Sequence, residues 1–190
     1  NEHIPAIIEA WYPGQSGGKA IAEVLYGDYN PGGKLPMTFY NGINDLPPFD
    51  DYDVRNGRTY IYFKGKPLYP FGYGLSYTNF KIKNVKLNDT NFSESDTLQI
   101  TFNITNTGLR HGSEVPQLYI EENGLKKLKA FKRIFLNKDE SLESSMKVAI
   151  KEFQSWDTNE NKYVVKAGDY SIHLGTSSQD FLFTSNIKVN

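Results

Sequence analysis

The sequence predicts a mixed fold, in which a partial α/β crossover unit over residues 1–77 precedes an all-β sandwich over residues 78–190. Three observations lead to this prediction. An apolar run, a glycine loop and a helical pattern follow one another in residues 6–26, and a second apolar run follows at residues 35–40. After Thr78 the apolar residues alternate with polar ones, and no helical pattern recurs. Turn sequences separate these alternating runs at regular intervals, as in two-layer antiparallel folds.

Two apolar runs in the first part have the length of strands. Ala6–Trp11 is too short for a buried helix and is followed by a turn signal at Pro13, and Leu35–Tyr40 follows a cluster of turn residues. Because two strands joined through a helix form a crossover, residues 6–40 are predicted to be one crossover unit of a parallel sheet.

A short helix is predicted between these runs. Ile21, Val24 and Leu25 fall at positions i, i+3 and i+4, which indicates a helix over residues 20–26 with its apolar face toward a sheet. Gly27 suits the position just after the end of this helix, where glycine adopts the left-handed conformation without strain.

The loop before the helix, Gly14-Gln15-Ser16-Gly17-Gly18, admits three interpretations. It fits the G-x-S-x-G nucleophile elbow, but Pro13 interrupts the strand that an elbow requires, and the downstream histidines, His111 and His173, lie in a turn and a strand pattern. A phosphate cradle is the second interpretation, although the glycine spacing matches neither known phosphate-binding pattern. The third is structural, with glycines that allow a tight turn and with Ser16 as the helix cap. The physics of the residues favours the third.

An irregular stretch over residues 40–53 places two carboxylates between two aromatic rings, as Phe49-Asp50-Asp51-Tyr52. The pattern suits a sugar-facing loop, because carboxylates accept hydrogen bonds from hydroxyl groups and rings stack on pyranose faces. An ordinary solvated loop with anchoring rings is the alternative. Arg58, in a strand predicted over residues 57–63, is placed to pair with Asp50 or Asp51. These three residues are the candidate substrate-binding residues.

The stretch Tyr69–Tyr77 alternates aromatic residues with glycine and proline, which suits a ligand box or, more commonly, a junction between domains. Beyond it, Pro116 marks a strand edge or a bulge, and Phe153 and Trp156 are expected to plug one end of the sandwich. The alternating pattern predicts strands over residues 80–87, 97–105, 114–121, 129–136, 141–150, 162–166, 169–175 and 181–189.

Composition argues against several classes of function. The 190 residues carry a formal net charge of −1 with no run of like charges, so a nucleic-acid partner, which needs a basic stripe, is not expected. The chain has no cysteine for a disulfide or a thiolate metal site, and its 3 histidines are dispersed, so neither a metal nor another cofactor is predicted. No segment approaches the roughly 20 apolar residues of a membrane helix, so no membrane partner is predicted.

Longer motifs connect residues 4–80 with a known family. AWYPGQSGGKAIAEVLYGDYNPGGKLPMTF, LPPFDDY, GRTY and PLYPFGYGLSYTNF resemble, in order and in register, the C-terminal half of glycoside hydrolase family three, the β-glucosidases, β-xylosidases and their relatives. Weaker similarity in NTGLRHGSEVPQLYI, LKAFKRIFL and AGDYSIHLGTSS continues into the immunoglobulin-like (fibronectin type III-like) sandwich that ends many members. In the family the loop around Asp50 and Asp51 lies near the junction with a catalytic barrel. Relatives often carry an arginine where this chain has Ile61, so the guanidinium group of that second arginine is absent here.

The resemblance implies a retaining, exo-acting β-glucosidase or β-xylosidase that removes terminal β-linked sugars from plant-type oligosaccharides. In such enzymes the aspartate nucleophile lies on an N-terminal barrel and the glutamate acid/base precedes the AWYPGQ stretch, so no catalytic residue is assigned here. The implied partners are the β-linked substrate, the barrel and the rest of the α/β domain, and the parent is expected to be periplasmic or secreted. A stand-alone carbohydrate-binding or adhesion module is the alternative.

The first predicted strand has no preceding element, and strands of a crossover sheet need neighbours. We therefore expect a fragment of a longer enzyme, which completes the active-site wall and is inactive alone. The edge of the incomplete sheet should be apolar, so self-association of the fragment is expected.

Overall fold

The computed structural model describes residues 3–190, and its second part is a β-sandwich. Its strands are β1 (Phe80–Leu87), β2 (Asn91–Phe92), β3 (Thr97–Asn106), β4 (Gly112–Glu114), β5 (Gln117–Glu122), β6 (Leu125–Phe131), β7 (Ile134–Leu136), β8 (Ser141–Ala149), β9 (Ser155–Asp157), β10 (Lys162–Val164), β11 (Gly168–Gly175) and β12 (Phe181–Val189). A three-stranded antiparallel sheet in the order β1-β3-β8 faces a five-stranded sheet in the order β2-β12-β11-β5-β6, in which β2 and β12 run parallel. The remaining strands form two short pairs, β4–β7 and β9–β10. The predicted sandwich is confirmed.

One hydrophobic core fills the space between the two sheets. Along β3, Leu98, Ile100, Phe102 and Ile104 are buried and alternate with half-buried polar residues, because successive side chains of a strand point to opposite faces. The other sheet contributes its own inward-facing residues, among them Phe92, Leu118, Ile120, Tyr170, Ile172, Leu174, Ile187 and Val189.

The strand predictions hold for each of the eight runs, with two corrections of detail. The run over residues 114–121 breaks at Pro116, between β4 and β5, because proline has no amide hydrogen to donate. The run over residues 129–136 divides into β6 and β7, and the short strands β2 and β9 were not predicted. Phe153 is buried, as expected of a plug, whereas Trp156 lies on β9 and is 49% exposed, so that expectation was wrong.

The residues described before Thr78 contain α1 (Gly17–Tyr26), a 3-10 turn (Ile43–Asp45) and α2 (Thr59–Tyr62), but no strand. The two runs predicted as strands, Ala6–Trp11 and Leu35–Tyr40, have irregular backbone apart from one bridge between Phe39 and Tyr69. Parallel strands depend on neighbouring strands, and the described residues place no parallel strand beside either run. The backbone hydrogen bonds of Leu35 and Phe39 go instead to irregular residues of the Tyr69–Tyr77 stretch. The α/β unit is therefore partial in the sense that its helix forms and its sheet does not.

Helix α1 confirms one cap prediction and corrects the other. Gly27 has φ 80°, and its amide donates to the Val24 carbonyl, as expected after a helix end. The Ser16 side chain makes no capping hydrogen bond. A side chain at Gly17 would place its Cβ 2.3 Å from the Cβ of Pro13, so the glycine is required for close packing of the turn. The structural interpretation of the loop is thus supported.

The residues described before Thr78 have no hydrophobic core of their own. Every buried hydrophobic residue of the described chain lies at position 92 or beyond, and Leu25 on α1 is 64% exposed. No sheet among the described residues covers the apolar face of α1, contrary to the prediction. No helix within residues 3–190 is long and apolar enough to cross a bilayer.

The aromatic and glycine stretch Tyr69–Tyr77 lies against the sandwich, as the junction interpretation predicts. The Gln117 side-chain amide donates to the Gly72 carbonyl, and the Ser178 backbone amide donates to the Phe71 carbonyl. Nearby, Lys34 and Glu114 form a largely buried ion pair at 2.7 Å. These contacts seat the first part of the chain on the sandwich.

Candidate functional site

The three candidate substrate-binding residues lie on one surface loop, and Arg58 spans it. Arg58 Nε and Nη2 donate to the Asp51 carbonyl oxygen at 3.1 and 2.8 Å, and Nη2 also donates to the Pro48 carbonyl oxygen at 2.8 Å. The predicted ion pair was therefore wrong, because Arg58 binds the main chain of Asp51 and neither carboxylate. The planar guanidinium, with its fixed fork of donors, suits two neighbouring carbonyl groups.

Both oxygens of the Asp51 carboxylate have structural partners. Oδ1 accepts the Asp53 backbone amide at 3.0 Å, and Oδ2 accepts the Asn56 side-chain amide at 2.8 Å. A carboxylate that accepts the amide two residues later forms a local turn. Asp51 is half-buried and shapes the loop, whereas Asp50 is exposed.

Asp53 and Arg55 form an ion pair that the sequence analysis missed. The Asp53 carboxylate accepts hydrogen bonds from Arg55 Nη2 at 2.6 Å, from Arg55 Nε and from the Arg55 backbone amide. The side-chain hydrogen bond of Arg55, followed by its backbone amide, lowers the pKa of Asp53 to about 2. An aspartate with a donor two residues later is a readable turn signature, and it could have been found.

Two aromatic rings flank Asp50 and point into solvent. Phe49 is 94% exposed and Tyr52 is 83% exposed. The loop thus presents two rings and one carboxylate on a backbone that Arg58 and Asp51 hold in place. Rings can stack on sugar faces and a carboxylate can accept hydrogen bonds from hydroxyl groups, so the arrangement is chemically suited to a carbohydrate.

The loop ends at α2, where a strand over residues 57–63 was predicted. Gly57 and Thr59 have positive φ angles of 93° and 61°, which turns the chain away from an extended path. The Thr59 backbone amide donates to the Tyr40 hydroxyl at 2.9 Å. The strand prediction was wrong, and Tyr60 instead packs against the sandwich.

No cluster of metal-binding side chains is found within residues 3–190. The Asp50 and Asp51 carboxylates, on adjacent residues, face different surroundings, which does not resemble a pair of carboxyl groups flanking one bond. The loop therefore presents the Asp50 carboxylate and the rings of Phe49 and Tyr52 to solvent, while the Asp51 carboxylate is held within the loop.

Two family models match this chain. The model described as "Glycosyl hydrolase family 3 C-terminal domain" matches residues 1–77, and the model described as "Fibronectin type III-like domain" matches residues 114–178.

Curated relatives match almost the whole chain. The "Xylan 1,4-beta-xylosidase" of Xylanibacter ruminicola is 44% identical over 184 residues, which are 94% of this chain and 21% of the relative. The "Periplasmic beta-glucosidase" of Salmonella typhimurium is 34% identical over 94% of this chain and 25% of its own length. The chain thus spans about a quarter of the length of these relatives.

Solved structures of β-glucosidases share the fold of this chain over nearly its whole length. A β-glucosidase from Erythrobacter marinus has a TM-score of 0.84 and 33% identity, covering 100% of this chain and 26% of that one. β-glucosidase 3B from Thermotoga neapolitana, in complex with glucose, has a TM-score of 0.83 and 33% identity, covering 94% of this chain and 27% of that one.

Proposed function

We propose that this chain is the C-terminal part of a β-glycosidase. The proposal rests on the C-terminal domain of glycosyl hydrolase family 3, which this chain carries, followed by a fibronectin type III-like domain. The observation that supports this most strongly is the 44% identity to a xylan 1,4-β-xylosidase over 94% of this chain. The substrates would be glycosides with a terminal β-linked xylose or glucose.

The exposed apolar surface before Thr78 supports a role within a larger α/β domain. Side chains such as Ile7 and Leu25 are more than half exposed, and a core made with the remaining part of the polypeptide would bury them. We place the division between the two domains at residues 77 and 78, where the first family model ends. In isolation, the same surface is expected to cause self-association, which sedimentation velocity would detect.

We infer that the catalytic pair of retaining hydrolysis lies outside this chain. It needs two carboxyl groups roughly 5–5.5 Å apart, one as nucleophile and one as acid/base. Here both oxygens of Asp51 are engaged by amide donors, and Asp50 alone faces solvent. We assign Asp50, with the rings beside it, to contact with the sugar, and Asp51 and Arg58 to the shape of the loop. The proposed role of this part is to complete the active-site wall.

The test compares the purified chain with the full-length protein on nitrophenyl β-xyloside and nitrophenyl β-glucoside. We expect turnover by the full-length protein and none by the chain alone. Asp50→Asn in the full-length protein should raise KM, because a hydrogen-bond acceptor for substrate hydroxyl groups is weakened. Asp169→Asn is the matched control, since Asp169 is an exposed carboxylate on β11 of the sandwich.

Turnover by the isolated chain that disappears in Asp50→Asn would contradict this assignment. A stand-alone binding module makes a different prediction. In that case the full-length protein has no glycosidase activity, and the chain alone binds insoluble xylan or cellulose in a pull-down.

A further inference from the structure

The loop that carries Asp50 is anchored to the β-sandwich through Tyr60 of α2. The Tyr60 ring stacks on Phe71, with centroids 4.4 Å apart and an interplanar angle of 21°. The same ring meets Tyr119 of β5 edge to face, at 6.0 Å between centroids. Aromatic pairs in these geometries add stability beyond the area that they bury, so the contact favours one position of α2.

The hydroxyl group of Tyr60 adds a directional contact. The Leu128 backbone amide donates to it at 3.0 Å. Leu128 lies on β6, an edge strand of the five-stranded sheet, beside an irregularity in the pairing of β5 with β6. Edge strands carry backbone groups without a sheet partner, so a side chain from outside the sheet can bind there. Burial raises the pKa of Tyr60, so the hydroxyl stays neutral.

The surface beneath Tyr60 is itself held in place. Tyr119 is fully buried, and its hydroxyl donates to Gln117 Oε1 at 2.5 Å. Gln117 Nε2 donates to the carbonyl oxygens of Gly72 and Thr176 at 3.1 and 2.7 Å. A buried polar network in which each member has partners makes a rigid support.

A short covalent path joins Tyr60 to the loop. Arg58 precedes it by two residues and bridges the carbonyl groups of Asp51 and Pro48. Thr59, between them, has φ 61°, and its amide donates to the Tyr40 hydroxyl. The position of Tyr60 therefore fixes where Arg58 lies, and Arg58 fixes the backbone on either side of Phe49 and Asp50.

We propose that Tyr60 is a positioning residue, through which the sandwich holds the Phe49–Tyr52 loop in the orientation that binds substrate. This inference rests on the proposed function, because it takes the loop to border a sugar site. It gives the fibronectin type III-like domain a part in substrate recognition, although no residue of the sandwich needs to touch the sugar.

The test uses the full-length protein with Tyr60→Ala and Tyr60→Phe, and measures KM and kcat on the better nitrophenyl glycoside. Tyr60→Ala should raise KM by roughly tenfold with kcat changed by no more than about twofold, since a displaced loop weakens binding more than chemistry. Tyr60→Phe keeps the stacked ring and loses only the hydrogen bond to Leu128, so its KM should lie between those of wild type and Tyr60→Ala. Tyr163→Ala on β10 is the control, because its partly exposed ring contacts Trp156, away from the loop.

A double-mutant cycle separates positioning from general destabilisation. If Tyr60 acts through the loop, Tyr60→Ala should raise KM much less in an Asp50→Asn background than in wild type. Additive effects on KM, or an unchanged KM in Tyr60→Ala, would overturn the inference. If Tyr60→Ala fails to fold, the KM values of Tyr60→Phe and Tyr60→Leu are compared in the wild-type and Asp50→Asn backgrounds instead.

Hydrogen exchange of the chain itself provides a readout that does not depend on glycosidase activity. Tyr60→Ala should speed exchange of the amides in residues 46–58, whereas Tyr163→Ala should not. Wild-type protein without glycosidase activity would refute the proposed function, and unchanged exchange in the loop would refute the anchoring by Tyr60.

Discussion

Replacing Asn106 with alanine should be one of the most damaging polar substitutions in the sandwich. Asn106 ends β3, and its side chain is fully buried. Its Oδ1 accepts the Thr78 hydroxyl at 2.7 Å and the Gly108 amide at 3.1 Å. Its Nδ2 donates to the carbonyl oxygens of Arg110 at 2.7 Å and Leu136 at 3.2 Å. The side chain thus uses its full hydrogen-bonding capacity.

The size of the loss follows from these partners. A net contribution of about 1 kcal/mol per hydrogen bond predicts that Asn106→Ala lowers the free energy of unfolding by about 3–5 kcal/mol. Part of that loss comes from Thr78, which is 4% exposed and would keep a hydroxyl without this acceptor. Because domains are stable by only about 5–15 kcal/mol in total, the variant should be near the limit of folding.

Urea unfolding followed by circular dichroism measures this loss as a lower midpoint at constant slope. Thr78→Ala removes one of the hydrogen bonds and should cost about 1 kcal/mol. The double variant should cost less than the sum of the two, by about 1 kcal/mol, because both single variants lose the same bond. A loss below about 1 kcal/mol in Asn106→Ala, or strict additivity with Thr78→Ala, would refute this reasoning.

Three further predictions concern other parts of the chain. Gly17→Val should lower the thermal midpoint and cost about 1–3 kcal/mol, because its Cβ would overlap Pro13, whereas Ser16→Ala, which loses no capping bond, should stay within about 0.5 kcal/mol; equal losses would contradict the packing argument. In the full-length protein, Arg58→Ala should raise the KM for the glycoside, and Arg58→Lys should raise it as well, because an ammonium group cannot reproduce the fork that binds two carbonyl groups. A wild-type KM in Arg58→Lys would show that charge alone matters. Burial lowers the pKa of His173, and the charge of Lys126 acts in the same direction, against the opposing effect of Glu121. The unfolded state therefore binds the proton more readily than the folded state. The free energy of unfolding should fall as the pH drops below 6.5, the ordinary pKa of histidine. His173→Gln should flatten this fall between about pH 7 and pH 5 in urea titrations, and an unchanged profile would show that other groups cause it.

The sandwich could be predicted from sequence because its core lies within the segment that encodes it. On β3 the alternation of Leu98, Ile100 and Phe102 with polar residues indicates which face of the strand is buried. Ala6–Trp11 shows the opposite case. Its apolar composition predicts a strand, yet a strand of a parallel sheet exists only beside its neighbours, which the described residues do not provide.

The short helix α2 shows how tertiary contacts override local preference. Residues 59–63 are mostly aromatic and β-branched, a composition that favours a strand. The docking of Tyr60 onto Phe71 and Tyr119, together with the positive φ of Thr59, produces a helical turn instead. Tyr119 lies 59 positions after Tyr60 in the chain (119 − 60), so a local window of sequence does not contain this partner.

At the candidate site, the sequence indicated the residues but not their partners. Arg58 and Asp51 are close, as expected, yet the guanidinium binds the carbonyl oxygen and the carboxylate binds amides. Which oxygen of an aspartate meets an arginine depends on the loop backbone, and residue types alone do not fix that path. The turn around Asp53 and Arg55, in contrast, depends on residues two positions apart and was open to prediction.

The place of β12 in the five-stranded sheet sets an order of assembly during synthesis. β12 pairs with β11 on one side and with β2 on the other, so that Asn91 meets Lys188 and Phe92 meets Val189. Such a distant pairing closes slowly, and β2 lacks its partner until β12 has been synthesised. Ser178, whose amide donates to the Phe71 carbonyl, lies between β11 and β12, and so does Thr176, whose carbonyl accepts the same Gln117 amide group that donates to Gly72. Residues 71–72 therefore cannot complete their contacts with the sandwich until the chain has been synthesised as far as Ser178.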